Sequence, residues 1–464
     1  MIVHGFYSYL ILLFSLVSVY ISIKLFLKAN GNTKLPTVGL FFLFNYIIFI
    51  YIGATLMNFY IPLVDFKQEH YEFLWMSLDR LDGFHKDAYL LERPDFLLKT
   101  WLLSTSVLYL VPIGMLFFNK LLNKNIESLN TVEYQLSNEK VLFTFISVFF
   151  ALALVALYMY SMKIEKFPII AVIEGYPRDM ISFFRSESGN NFNGKYHWYN
   201  LFMRIIPILL MLTAMLALYF KKNWKWWLMT SLLIIYNIFV AVMDTSKAPI
   251  VFLLLQVFIL WIIIQKKINY KVLASLAVIT FISLFFMYYF FFKLEFAPFN
   301  IIFSIFHRLF IGQITPFYWW QMYQENFGFI NGASLPNPRH IFPFEYIQIS
   351  VEVMKYTHPE LVKIGVVGSM PTAFFADWWI NFGIFVSLLS MFILGFIMQI
   401  FEQLLISAMN HKFSVYLLSL YIYGILFFSH YAMSSYVGLL VDEKIVIPAI
   451  IFYGFYKLQN RRVQ

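Results

Sequence analysis

Long apolar runs recur from one end of this chain to the other, and they leave it little freedom of fold. A bilayer's hydrocarbon core takes about twenty helical residues to cross, so runs of about eighteen or more mark spans. They stand at 6–27, 36–60, 100–119, 141–162, 198–219, 227–243, 248–265, 272–293, 372–400, 414–432 and 445–458. The pattern predicts an all-α polytopic membrane protein with about 11 transmembrane helices. Composition agrees: 61% of the 464 residues are hydrophobic and 13% are charged, where a soluble domain carries about a quarter charged residues. Mean hydropathy is +0.72.

The chain has no cysteine, which excludes disulfides, thiolate chemistry and cysteine-containing metal sites. Its nine histidines are scattered, without an HxxxH or HExxH pair. No metal and no cofactor are expected. The net charge of +9 reads as orientation signal and contact with anionic lipid, not as a nucleic-acid surface. The opening MIVHGFYSYLILLF has no basic stretch and no small-residue cleavage site. It reads as a retained first span.

Short basic loops set the orientation. Lys24, Lys28 and Lys34, then Lys120 and Lys124, then the KKNWK turn at 221–225, the KKINYK turn at 266–271 and the terminal KLQNRR all fall on one side if the N-terminus is outside and the C-terminus inside. The segments at 61–99, 163–197, 244–247 and 294–371 then face outward. Neither repeats nor low-complexity tracts are visible, so 1–464 reads as a single integral membrane domain with an outward loop at 163–197 and a large outward loop at 294–371.

The large loop is not plain linker. Residues 300–324 are apolar and aromatic but too interrupted to span, and read as an amphipathic helix in the interface or a re-entrant segment. Residues 332–346 are a Pro-rich turn region, and 350–364 read as a short surface helix. Trp226, Trp227 and Trp101 fit an interfacial aromatic belt. Trp319 and Trp320, beside charged groups, fit either a belt or a sugar-stacking surface.

Cations on the outward side run against the orientation bias, so each asks for a partner. They are Arg178 and Arg185 in YPRDMISFFRSESG, Arg204 inside the fifth span, Lys247 at the end of DTSK, and Arg308 and Arg339 in the large loop. One reading pairs them with Asp179, Glu187, Asp244 or Glu345, or with lipid phosphates. The other gathers them around a phosphate-bearing lipid: arginine offers a planar fork to phosphate oxygens, lysine a point charge. If the lipid carries a diphosphate leaving group, they would stabilise its developing charge.

With these features in view the chain resembles the O-antigen and oligosaccharide repeat-unit polymerases (Wzy). The resemblance rests on the layout of spans with a mid-chain and a large late outward loop, and on an R-x10-G pattern from Arg178 to Gly189. It rests too on the DTSKAPI turn at 244–250, and on a run after the large loop, Pro371, Asp377, Asn381, Phe382 and Gly383. Lys247 stands where the family usually has arginine, and no second R-x10-G follows Arg308 or Arg339.

Membership would imply a GT-C-like inverting glycosyltransferase of the bacterial inner membrane, N-terminus periplasmic and C-terminus cytoplasmic, needing neither metal nor nucleotide sugar. Its donor and acceptor would be undecaprenyl-pyrophosphate-linked glycans, and a chain-length regulator protein would be a partner alongside membrane lipids. Arg178, Arg185, Arg204, Lys247, Arg308 and Arg339 would hold the diphosphates. Glu345, His340 and Asp377, in that order, are the candidates for a base within reach of the acceptor hydroxyl; Asp377 also suits a helix N-terminal carboxylate. His430 reads as a hydrogen-bonded packing residue. The competing readings are an O-antigen ligase, which has a similar layout and a different acceptor, and a transporter, which would favour internal symmetry and short loops.

Overall fold

A computed structural model of the protein describes residues 2–31, 35–58, 93–122, 138–189, 191–246, 248–267, 309–335, 343–363, 367–411, 414–434 and 442–461, with scattered positions between 271 and 306 and at 337, 341 and 365. Among the described residues every regular element is a helix. Among the described residues nine helices are long and apolar enough to cross a membrane: Tyr7–Ala29, Val38–Met57, Pro94–Leu122, Glu139–Ser161, Tyr196–Lys221, Trp224–Val242, Ala248–Gln265, Ile384–Met409 and Val415–Ala432. The chain is a helical, multi-pass membrane protein.

The other two expected spans differ. The run 272–293 lies largely outside the described residues. The run 445–458 is helical within Glu443–Arg461, but its charged ends and internal Pro448 leave it less apolar than the nine. The run 372–400 is not one helix either. Gly383, at φ +80° and ψ −170°, occupies backbone space that only glycine enters freely. It ends the short Phe375–Phe382 helix before Ile384–His411 begins. Asp377 therefore sits outside the span.

The chain forms two compact units. One comprises Met1–Ile126, Phe296–Ile400 and Phe428–Leu440; the other Glu127–Glu295, Phe401–Phe427 and Val441–Gln464.

In the first unit the Ile2–Ala29 helix lies against Pro94–Leu122 through small polar residues. Ser22 donates to the Leu108 carbonyl at 2.9 Å, Tyr109 donates to Ser18 at 3.0 Å, and the Trp101 indole donates to Ser15 at 2.8 Å. Small residues let helices approach closely where lipid removes the hydrophobic drive between them. Trp101 is thus a packed residue and not part of a belt. A second close crossing joins Pro94–Leu122 to Ile384–His411: a methyl at Gly395 would lie 1.9 Å from the Val111 carbonyl oxygen, and one at Gly114 2.1 Å from that of Phe392.

The large loop folds into this same unit. Pro316 opens a helix to Phe327, and Phe317 to Gln321 are buried. Of the two expectations for 300–324, a helix lying in the interface or a re-entrant segment, the first does not fit this helix, which is packed into the unit: the Phe317 ring meets Phe375 at 5.4 Å and Trp379 at 5.3 Å. On the same helix Gln321 donates to the Phe96 carbonyl and to Thr100 at 3.2 and 3.1 Å. Trp319 and Trp320 are core residues, 4% and 0% exposed. Ile349–Thr357 also buries one face, through Ile349, Val353 and Met354, while Pro359–Lys363 buries none of its residues.

In the second unit the Tyr236 hydroxyl lies 3.2 Å from the Ala153 carbonyl and 3.0 Å from that of Met203, tying three spans together. Phe145 meets the rings of Tyr416, Phe452 and Phe455 at 5.2, 5.4 and 4.2 Å. Trp226 is buried and its indole donates to Glu139 at 3.1 Å. Packing again replaces the expected belt, whereas Trp227 remains exposed.

Candidate functional site

In the second unit the mid-chain loop and the DTSK turn meet. Pro177 caps a helix from Arg178 to Glu187, which ends at Ser188. The spacing from Arg178 to Gly189 is therefore the length of one short helix. Ile181 and Phe184 bury its apolar side against Ala171, and Arg185 is exposed. Its end is fixed by Tyr160, whose hydroxyl donates to the Ser188 carbonyl at 2.6 Å and whose ring stacks on Phe192 at 5.2 Å. The amide of Ile169 donates to the Met243 carbonyl at 3.0 Å, and Phe167 meets Phe239 at 5.8 Å. The turn that begins at Asp244 is held against the loop through these contacts.

Arg204 rises into the same neighbourhood. It lies on a π-helical turn, Asn200–Ile205, that opens the fifth span. Such insertions re-aim the side chains of a helix and are frequent at functional sites. The Arg204 guanidinium donates through Nη2 to Asp244 Oδ2, forming an ion pair, and lies 5.9 Å from the Tyr196 ring centre. Only part of its donor capacity is used. Among the described residues, Arg204 Nε, Asp244 Oδ1 and Glu187 Oε2 are buried without hydrogen-bond partners; Glu187 Oε1 accepts from the Glu165 amide at 3.0 Å. The Arg204 side chain keeps 22% exposure, so the pair is accessible from one edge. Nε is buried, so the donors that could still take a phosphate oxygen are Nη hydrogens that Asp244 does not use.

Of the other expected phosphate ligands, Lys247, Arg308 and Arg339 lie outside the described residues, as does the side chain of Arg178. Arg204 and the DTSK aspartate are the residues brought together. This is the pairing with Asp244 that the first reading of the cations anticipated, on a turn that the second reading needs.

The candidate bases have unlike surroundings. His340 lies outside the described residues. Glu345 is exposed in a stretch without regular structure and makes no side-chain ion pair among the described residues. Asp377, in the first unit, is 1% exposed. Burial pushes its carboxyl well above the usual range, because the charged form loses its hydration there. It stands near the start of the Phe375–Phe382 helix, yet its Oδ2 takes no bond from the helix amides.

One turn on, Asn381 holds the large loop: its amide donates to Ser334 at 2.7 Å and to the Asp377 carbonyl at 2.6 Å, and its oxygen accepts from the Gly332 amide at 2.9 Å. His430 approaches Ser434 at 3.4 Å through Nε2.

One feature escaped the sequence reading. Arg93 grips Glu325 with two bonds of 2.6 Å, also bonds Asp95, and lies 3.8 Å from the Phe96 ring centre. It ties the end of the 61–99 segment to the large loop. Asp95, two residues on, is a local hint; nothing in the sequence points to Glu325. Arg93 holds the Glu325 carboxyl below its ordinary range. Among the described residues no group of His, Asp and Glu gathers that could hold a metal ion. The chain matches no family model, no curated protein and no solved structure.

Proposed function

We propose that this protein is a lipid-linked glycosyltransferase: a GT-C-like repeat-unit polymerase acting on undecaprenyl-pyrophosphate-linked oligosaccharides at the periplasmic face of a bacterial inner membrane, with its N-terminus periplasmic. The observation that supports it best is the meeting of the mid-chain loop and the DTSK turn around Arg204. Two segments singled out separately in the sequence meet at one ion pair, and the Arg204 side chain in it stays partly exposed.

In this reading Arg204 binds a diphosphate oxygen on the edge that Asp244 leaves free. Arg178, Arg185 and Lys247 add charge from the same loop and turn, and Arg308 and Arg339 serve the large loop. The acceptor hydroxyl attacks the donor's anomeric carbon and gives up its proton to a base, for which Glu345, His340 and Asp377 are the candidates, or to the departing diphosphate; the bond to undecaprenyl pyrophosphate breaks, and the configuration inverts. The diphosphate is a good leaving group whose developing charge the cations stabilise. Positioning of the two lipids then supplies much of the rate.

Deletion of the gene tests the class. Loss of a polymerase leaves surface lipid capped with a single repeat unit. Loss of a ligase leaves none, and unchanged long chains would reject both. In a deletion strain, a Lys247→Ala or Arg178→Ala protein that reaches the membrane should restore no long chains; normal chain lengths on a gel of surface glycan would remove the diphosphate role.

A further inference from the structure

The mid-chain loop leaves more apolar surface uncovered than its own packing uses. Its short helices, Pro168–Ile173 and Arg178–Glu187, meet through Ala171, Ile181 and Phe184, with Val172 and Tyr176 beside them. Ile170 and Ile173 stand one turn apart on the first helix, and Met180 and Phe183 one turn apart on the second, so each pair shares a face. All of these are exposed, Ile173 by 78% and Phe183 by 38%. Along the other side of the second helix Arg178, Ser182 and Arg185 recur at helical spacing. Apolar side chains grouped in this way mark a contact surface, where single exposed ones would need no explanation.

The helix pair is tied to the ends of two spans. At its start the Ile169 amide donates to the Met243 carbonyl at 3.0 Å, just past the Trp224–Val242 helix, and the Phe167 ring meets Phe239 at 5.8 Å. At its end Tyr160, in the last turn of Glu139–Ser161, donates to the Ser188 carbonyl at 2.6 Å. The turn between the helices is drawn back as well: Lys166, shortly after that span, bonds Glu174 at 2.5 Å and Tyr176 at 3.2 Å. The pair is therefore held at the level where these spans end.

What the surface adjoins identifies its partner. A span meets lipid with its exposed apolar side chains, and on both of these spans such side chains run to the ends that hold the loop. Tyr158 and Met159 close Glu139–Ser161 with Met162 just beyond, and Ile238 and Phe239 lie near the end of Trp224–Val242, all exposed. Ile170 follows directly on the Ile169 anchor and continues that surface. An amphipathic helix with arginine on one side and phenylalanine on the other lies in the plane of the interface, its apolar face among the acyl chains and its cations at the phosphates. We propose that the Pro168–Ile173 and Arg178–Glu187 helices form a lipid-embedded hairpin, with Ile173, Met180 and Phe183 sunk into the leaflet that meets these span ends. The interfacial helix expected at 300–324 thus has its counterpart in the mid-chain loop. The inference depends neither on the glycan reading nor on which side of the membrane the loop faces.

The chain has no cysteine, so a single replacement gives a unique label. The full chain is placed in nanodiscs of phosphatidylethanolamine and phosphatidylglycerol, which leave both membrane faces open to solvent. An environment-sensitive fluorophore is attached at Ile173→Cys, at Phe183→Cys or, on the polar side, at Ser182→Cys. Ile173 and Phe183 are exposed, so replacing them removes little packing. Their labels should emit at shorter wavelength than the label at Ser182→Cys and be quenched by nitroxide-bearing lipid. They should also lose most of the quenching by aqueous iodide that Ser182→Cys shows. Equal iodide quenching at all of these positions would overturn the proposal. Protection from both quenchers would overturn it too, because protein, whether a second copy or another chain, would then cover the face. The gene deletion reads separately: unchanged glycan chains after deletion would remove the glycosyltransferase reading and leave the lipid contact standing.

Discussion

Arg204 and Asp244, forty positions apart, form an ion pair that joins a π-helical turn at the head of one span to the turn after the next. Neither group is fully satisfied by the other: Arg204 Nε and Asp244 Oδ1 remain buried and unbonded among the described residues. A pair of this kind is a poor way to gain stability, because two desolvated charges return little net energy. Removing either partner alone is expensive, however, because the remaining charge stays uncompensated. Arg204→Ala and Asp244→Ala should each destabilise the purified protein by about 3 kcal/mol, and the double variant by clearly less than the sum. Denaturation in mixed micelles measures this cycle; additive losses would mean that the two groups do not depend on each other.

The functional half of the same argument separates charge from shape. Arg204→Lys keeps the positive charge and can still meet Asp244, but it has no planar fork and no Nε–H. It should fold close to normally and fail to restore long glycan chains in a deletion strain. Restoration to wild-type chain length would show that the planar fork has no ligand.

The spans were legible because lipid imposes a length and a polarity on every crossing helix, and Ala248–Gln265 falls where the sequence put it. The break at Gly383 was not, because an apolar run does not reveal a residue held at φ +80°. Tryptophans misled for a related reason: a belt and a core draw on the same residue, and only the bonds from Trp226 to Glu139 and from Trp101 to Ser15 tell them apart. At the site, the DTSK turn and the Arg178–Gly189 spacing were visible as motifs. Their meeting at Arg204 was not, since a tertiary contact between segments leaves no period in the sequence.

Arg93 and Glu325 should show how little a well-shaped but wet pair contributes. Both side chains are about a third or more exposed, 34% and 45%, so water and salt screen the pair and it is worth no more than about 1 kcal/mol. Arg93 depresses the Glu325 pKa. The stabilisation is therefore complete above the ordinary glutamate range, and is lost as pH falls through the lowered folded-state value. Thermal scans of wild type and Glu325→Gln should differ slightly at neutral pH and low salt. They should converge both on acidification and in high salt; a gap that widens in acid would contradict the assignment.

Glycines should sort by what surrounds them. At Gly395 a methyl would lie 1.9 Å from a backbone carbonyl oxygen, which cannot turn away as a side chain can, whereas at Gly454 nothing lies within 4 Å. Gly395→Ala should push two helices apart and cost about 1–3 kcal/mol. Gly454→Ala, in an open helical position, should be neutral or stabilise by up to about 1 kcal/mol. Equal effects in the same unfolding assay would refute the close crossing.

Asn381 and Gly383 stand two residues apart and should fail in different ways. Asn381 bonds to the Gly332 amide, the Ser334 hydroxyl and the Asp377 carbonyl. Asn381→Ala would leave the Gly332 N–H unpaired and release the 330–335 turn, at a cost of about 1–3 kcal/mol. Gly383 has room for a methyl, the nearest atom being on Phe329 at 3.7 Å, so Gly383→Ala acts only through the backbone. Holding alanine in that region costs about 1–3 kcal/mol, and the strain falls on the break between the two helices. Hydrogen exchange distinguishes the two failures. Asn381→Ala should speed exchange at the Gly332 amide and its neighbours while the Ile384–His411 helix stays protected. Gly383→Ala should loosen the Phe375–Phe382 helix and the start of Ile384–His411, with Gly332 following only as far as Asn381 is displaced. Identical exchange patterns in the two variants would mean that the turn and the helix break are one structural unit, and that Asn381 has no separate hold on the large loop.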